Sequence, residues 1–124
     1  MRVYVAGPMR NLPYFNFPAF FGAEKMLTTA GHSVFNPARR DVNKYGKKIA
    51  NKKGDVQKAA QMGFSLREAL AADTHYICMK AEAIALLPGW TKSSGAKAEH
   101  ALAKALGLTI MYLKKTKNDY IVRT

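Results

Sequence analysis

The chain has 124 residues, with 20 Lys and Arg against 8 Asp and Glu and a formal charge of +12. That length suits one ordinary domain with its own core, and the charge points to anionic partners such as nucleotides, nucleic acid or acidic surfaces. Cys78 is the single cysteine, which excludes an intramolecular disulfide or a cysteine-built metal site within one chain, and no apolar run approaches a signal core or a membrane span; the expectation is a soluble, cytoplasmic protein with no membrane partner.

Residues 2–6, Arg-Val-Tyr-Val-Ala, are β-branched and aromatic and stop at Gly7-Pro8, which predicts a short buried strand. After the loop 9–13, the stretch from Asn16 predicts a helix over roughly 17–30, with Asn16 as cap, Pro18 in the first turn and Gly31 at the stop. His32-Ser33-Val34-Phe35 then reads as a second strand ended by Asn36-Pro37. Residues 38–62 are polar, lysine-dense and weakly periodic, which predicts a mobile basic excursion with at most a short helical piece. It is open at this stage whether that excursion is a solvated loop, a flap over a substrate or a basic patch. Nucleic acid is disfavoured, because no aromatic interleaves with the lysines beyond Tyr45.

Ser65 and Glu68 have capping-box spacing and open a helix that runs to about residue 80. Asp73 falls on its apolar stripe, between Leu70 and Ile77, and an acid on a buried side needs an explanation. Residues 83–87, Ala-Ile-Ala-Leu-Leu, form an unbroken apolar run that reads as a strand covered on both faces. A helix over about 94–106, stopped by Gly107, and a last strand over 108–113 complete the order. This alternation predicts an α/β fold: a parallel-sheet, Rossmann-like three-layer sandwich of the flavodoxin-like type, spanning residues 1–124 as one domain. In such sheets ligands collect beyond the carboxyl ends of the strands.

Two strand ends on that edge carry glycine-containing turns: Gly7-Pro8-Met9-Arg10, and Gly89-Trp90 through Ser93-Ser94-Gly95. The second opens a helix whose free N–H groups and serine hydroxyls suit a phosphate, although Ser94 as a plain helix cap explains the same residues. Glu99, in the first turns of that helix, is alone no more than a dipole-matched surface acid. Brought to the same edge as Asp73 and Arg10, it forms a carboxylate pair of the kind that cleaves glycosidic bonds. Trp90 either walls a base pocket or packs over its own loop. His32, His75 and His100 lack metal-ligand spacing, and Met26, Met62, Met79 and Met111 read as core fillers.

The residues that carry a family signature are Tyr4-Val5-Ala6-Gly7-Pro8, Asp73 followed by Tyr76-Ile77, and Leu87-Pro88-Gly89 through Gly95-Ala96-Lys97-Ala98-Glu99 with Leu106-Gly107. Together they resemble the nucleoside 2-deoxyribosyltransferase superfamily, and within it the small phage-type members, over nearly the whole chain. The resemblance implies that Glu99 attacks the anomeric carbon of a deoxyribose and that Asp73 assists proton traffic at the base. The transferases usually carry a second acid six residues before the nucleophile, where this chain has Ser93. The related 2′-deoxynucleoside 5′-monophosphate N-hydrolases carry a serine there, which contacts the phosphate, and an arginine after the first strand, matched by Arg10.

The resemblance therefore implies hydrolysis of a deoxyribonucleoside 5′-monophosphate through a glycosyl-Glu99 intermediate. Ser93, Ser94, Gly95 and Arg10 would hold the phosphate, with Tyr4, Gly7, Pro8, Gly89 and Trp90 around the sugar and base. Exchange between bases, or nucleotide binding without turnover, are the alternatives. No metal or organic cofactor is implied, and a homo-oligomer (dimer or tetramer) is. The tail from Lys114 to Thr124 departs from the segment by which transferases complete a neighbour's site.

Overall fold

The β-branched and aromatic run at the start forms β1 (Arg2–Ala6), and its alternating side chains set up two separate cores. The structure is a computed structural model and describes residues 1–123. Because strand side chains alternate with period two, Val3 and Val5 face one side of the sheet while Tyr4 and Ala6 face the other. β3 (Ala83–Leu86) pairs in register beside it, Tyr4 against Ile84, so Ala83 and Ala85 join the first side and Ile84 and Leu86 the second. Every residue of β3 is buried, as a strand covered on both faces requires.

The sheet order is β2-β1-β3-β4-β5, where β2 is Ser33–Phe35, β4 is Thr109–Lys115 and β5 is Tyr120–Arg123. Strands β1 to β4 are parallel and β5 returns antiparallel on β4. The chain thus builds outward from β1 in one direction to β2 and in the other to β3 and β4. The crevice where the direction reverses lies at the carboxyl ends of β1 and β3, the place where sheets of this order bind ligands. Helix α1 (Phe17–Thr29) covers the first face through Phe17, Phe20, Ala23 and Leu27. On the second face lie α4 (Leu66–Met79) and α5 (Ser94–Ala105), through Ile77, Ala96 and Ala103. The α/β expectation with helices on both faces is met, with an antiparallel edge strand added.

Residues 38–62 depart from the predicted excursion. They fold into α2 (Pro37–Tyr45), a single 3₁₀ turn at Lys47–Ile49 and α3 (Val56–Gln61). The physical reason is capping: Asn36 Oδ1 accepts from Ala38 N at 2.9 Å with Pro37 in the first turn, and Asp55 Oδ1 accepts from Gln57 N at 2.9 Å. Ala38, Ile49 and Ala59 join the core with α1, which the lysine-dense surface of the segment hides at the level of sequence.

Asn16 occupies the N-cap position of α1, as expected, but its side chain makes no capping hydrogen bond. It is left-handed at φ 60°, following Tyr14 and Phe15 at 54° and 53°, and its Nδ2 donates to the carbonyl of Pro8 at 3.0 Å. Met62 and Met79 are exposed instead of filling the core, while Met111 is buried. Ser65 caps α4 by accepting from Glu68 N at 3.2 Å.

Candidate functional site

Tyr4 leaves β1 on the α5 side, and α5 presents Glu99 to it because Glu99 shares a face with Ala96 and Ala103. The Tyr4 hydroxyl donates to Glu99 Oε2 at 2.7 Å in a buried contact. Asp73 shares the inward face of α4 with Ile77, the spacing of one helical turn. Its partner is Arg40 from α2, whose guanidinium donates to Asp73 Oδ1 and, from Nη2, to Asp41 Oδ1 at 3.0 Å. Asp41, Asp73 and Glu99 are each no more than 6 % exposed, which for carboxylates requires a chemical explanation.

These side chains line one cavity of about 340 Å³ at the carboxyl ends of β1 and β3. Tyr4, Gly7, Pro8, Arg10, Asp73, Ser93, Ser94, Gly95 and Glu99, all singled out from sequence, lie on its wall. Gly89 and Trp90 do not. The left-handed Gly89, at φ 85°, turns the chain so that Trp90 packs on His100 at 4.4 Å between ring centroids and toward Tyr112 at 6.1 Å, on the far side of α5. Trp90 therefore neither walls the cavity nor packs over its own loop, but lies against α5 and β4.

Ser93, not Ser94, is the cap of α5, since its Oγ accepts from Ala96 N at 3.1 Å. That leaves the Ser93 hydroxyl proton to donate, and the amides of Ser94 and Gly95 without a protein acceptor among the described residues. With these donors, and with exposed Arg10 and Lys92 also on its wall, the cavity can hold an anion.

Sequence reasoning missed Arg40 and Asp41, which sit inside the segment expected to be mobile. The legible signal was the Asn36-Pro37 helix start, from which Arg40 and Asp41 fall in the first turns of α2.

The electrostatics follow from burial. Desolvation pushes Glu99 up to about 8, with the Asp73 charge adding to the effect and the Tyr4 hydrogen bond opposing it. Desolvation also raises Asp73, to about 6, although the Arg40 charge and hydrogen bond hold it down. Asp41 is raised by burial against the same arginine. Burial works against the charge on Arg40, but Asp73 and Asp41 outweigh it, so the guanidinium is held more firmly protonated. The Tyr4 hydroxyl is raised by burial and by Glu99 and Asp73, so it remains a donor. Two carboxyls poised near neutrality on one wall, one tied to an arginine and one to a phenol, can divide acid, base and nucleophile roles between them.

Among the described residues no helix is long and apolar enough to cross a membrane. Neither the curated proteins nor the solved structures yield a match. A family model described as "Domain of unknown function (DUF4406)" matches residues 1–112, and so takes in the whole cavity wall, Tyr4 through Glu99. The chain belongs to the DUF4406 family.

Proposed function

We propose that this chain hydrolyses the N-glycosidic bond of a 2′-deoxyribonucleoside 5′-monophosphate. The observation that carries the reading is the meeting of Asp73 and Glu99, buried and raised to about 6 and about 8, on one cavity wall whose rim offers anion donors. It is joined by the sequence resemblance to the nucleoside 2-deoxyribosyltransferase superfamily.

In this reading the Glu99 carboxylate forms a bond to C1′ of the sugar as the C1′–N bond breaks and its electron pair leaves with the base. Asp73, near half-protonated at pH 6, donates the proton that neutralises the departing base. Water then attacks C1′, Asp73 takes its proton, and the sugar–Glu99 ester opens to free deoxyribose 5-phosphate. Arg40 holds Asp73 in place, and Tyr4 holds Glu99 by its 2.7 Å hydrogen bond. The free amides of Ser94 and Gly95, the Ser93 hydroxyl and Arg10 receive the phosphate.

A second base in place of water gives exchange, and an occupied pocket with no released base gives a sequestering module. The raised Glu99 favours keeping that module in view, since at neutral pH most of the empty protein carries Glu99 protonated. A cytoplasmic homo-oligomer is part of the same proposal. The test is a chromatographic screen of common and modified deoxynucleoside monophosphates for free base. Glu99→Ala abolishes release from any substrate the wild type cleaves; full retention of activity removes Glu99 from the nucleophile role. Tight, phosphate-dependent binding without base release selects the module instead.

A further inference from the structure

The loop after β1 and the segment between α2 and α4 meet backbone to backbone, Tyr14 N donating to Asn51 O at 3.1 Å and Asn11 N to Gly54 O at 3.0 Å. Residues 11–14 and 51–54 therefore share one surface. Tyr14 is left-handed at φ 54°, ψ 32°, and while Phe15 beside it turns into the core, Tyr14 is left 47 % exposed. Tyr4, Tyr45, Tyr76, Tyr112 and Tyr120 each have another ring or a cation packed on them. Tyr14 has neither among the described residues, so its ring faces are free. Lysines surround it: residues 42–64 carry six lysines and one acid, and residues 1–23 carry no acid. That acid, Asp55, is occupied at the start of α3, where its Oδ1 accepts from Gln57 N at 2.9 Å. Lys44 pairs with Glu68 at 3.8 Å, whereas Lys47, Lys48, Lys52, Lys53 and Lys58 are exposed with no acidic partner among the described residues. Burial of Ile49 and Ala59 fixes the segment, so these charges sit on a folded surface. The aromatic that the lysine run lacks in sequence is supplied by folding, from the loop after β1.

We infer that this face binds single-stranded nucleic acid, Tyr14 stacking on an unpaired base while the lysines around it neutralise the adjoining phosphates. Lysines alone suit any polyanion. A free aromatic face is what an unpaired base uses, and an acidic protein surface offers it no equivalent partner. A duplex keeps its bases stacked inside, so it engages the lysines and leaves the ring idle. Neither Tyr14 nor the lysines of residues 47–58 line the carboxylate cavity, so the inference goes beyond the nucleotide reading and does not rest on it. The two surfaces touch at Asn11, which lines the cavity and bonds to Gly54.

The test is fluorescence anisotropy of the full-length chain with a labelled oligodeoxythymidylate of about 12 nucleotides. From about 50 to about 200 mM salt, log affinity falls against log salt with a slope of about −3, as roughly four contacted phosphates give. Tyr14→Gly, which suits the left-handed backbone and removes only the ring, weakens binding about tenfold; Tyr14→Phe restores it. Lys52→Glu with Lys53→Glu cuts the slope by about half. The charge-matched control is Lys80→Glu with Lys104→Glu. Lys80 O accepts from Arg2 Nε at the start of β1 and Lys104 lies in the last turn of α5, both at the opposite edge of the sheet, and this pair leaves the slope as it is. Equal affinity of the wild type and Tyr14→Gly overturns the inference. So does a duplex of the same length, or heparin, that binds as tightly as the single strand, since the face is then a seat for polyanions or for an acidic protein. Absence of binding at about 50 mM salt overturns it as well. A chain that binds the strand but releases no base from any mononucleotide removes the nucleotide reading and leaves this inference standing, and the converse result does the reverse.

Discussion

Tyr4 of β1 and Glu99 of α5, 95 residues apart in sequence, are joined by a 2.7 Å hydrogen bond in the buried centre of the cavity. The phenol donates, so it stabilises the ionised carboxylate, and it is a cause that lowers the Glu99 pKa against the desolvation that raises it. Tyr4→Phe keeps the ring and its packing on Phe35 but removes that donor. Glu99 then titrates above its present value of about 8, and the rising limb of the pH–rate profile for base release moves to higher pH. Carbon-13 NMR titration of the Glu99 carboxyl checks the shift directly. A limb and a titration that stay where they were mean that the hydrogen bond does not govern the ionisation of Glu99.

Glu99 is a stability liability whose sign is fixed by its folded-state pKa. Its ordinary value is 4.5 and its folded value about 8, so the folded state retains a proton that the unfolded chain has released between those pH values. The stability that Glu99 contributes is therefore fully present below about 4.5, falls as pH rises and levels off above about 8, with Asp73 adding a smaller loss that ends near 6. A tenfold change in proton affinity corresponds to about 1.4 kcal/mol, so the Glu99 contribution is on the order of a few kcal/mol. Glu99→Gln removes it. In thermal melts the variant gains on the wild type progressively from pH 5 to pH 8, and a constant difference across that range contradicts the assignment. A site that costs stability at the working pH is a common companion of catalytic groups.

Arg40 faces two buried acids, and removing it leaves both without their counter-charge. Arg40→Gln costs about 3 kcal/mol at pH 7, the lower end for a broken buried pair because the Arg40 side chain keeps 23 % exposure. The deficit has a pH signature. Arg40 holds Asp73 down at about 6, so in the variant Asp73 titrates above that value, and the deficit shrinks as pH falls through it. Denaturant melts at pH 5 and pH 8 measure the difference. An equal cost at both shows that Arg40 acts through packing and not through charge.

The extent to which this site was legible in sequence follows from which physical rules are local. Tyr4 is placed by strand alternation and Asp73 by the helical spacing from Ile77, so both could be put on the correct face from short windows, whereas Glu99 read locally as a surface acid behind a Ser94 cap and joined the site only through the expected meeting of strand ends. Arg40 and Asp41 were not legible. They lie in a run of lysines whose composition reads as solvated, and only the burial of Ala38, Ile49 and Ala59 in the core that α1 also covers decides that the segment is folded. Trp90 was ambiguous for a related reason: the left-handed turn at Gly89 sets which side of α5 the ring takes. Strand β5 was missed because its four residues sit in a charged tail. Its position depends on the turn where Thr116 and Asp119 bond to one another and on pairing to β4.

The loop after β1 carries Arg10 to the cavity rim, and it is held there by a backbone clasp to Gly54. Asn11 N donates to Gly54 O at 3.0 Å and Tyr14 N to Asn51 O at 3.1 Å, which ties the strained left-handed turn at Tyr14, Phe15 and Asn16 to the segment before α3. Gly54 has φ +65°, and an added Cβ lies 2.2 Å from the carbonyl oxygen of Leu12, a backbone atom with no room to yield. Gly54→Ala therefore meets both the left-handed penalty, about 1–2 kcal/mol, and a collision that pulls the clasp apart. Gly107, just past the end of α5, is the control, with φ +73° and nothing within 4 Å of the added carbon, so Gly107→Ala meets the first cost alone. Thermal melts place Gly54→Ala well below Gly107→Ala. Titration with a deoxynucleoside monophosphate shows weakened affinity only in Gly54→Ala, because only that variant displaces Arg10 and Met9 from the cavity wall. Equal melting temperatures and equal affinities for the two variants mean that the clasp does not hold the loop against the site.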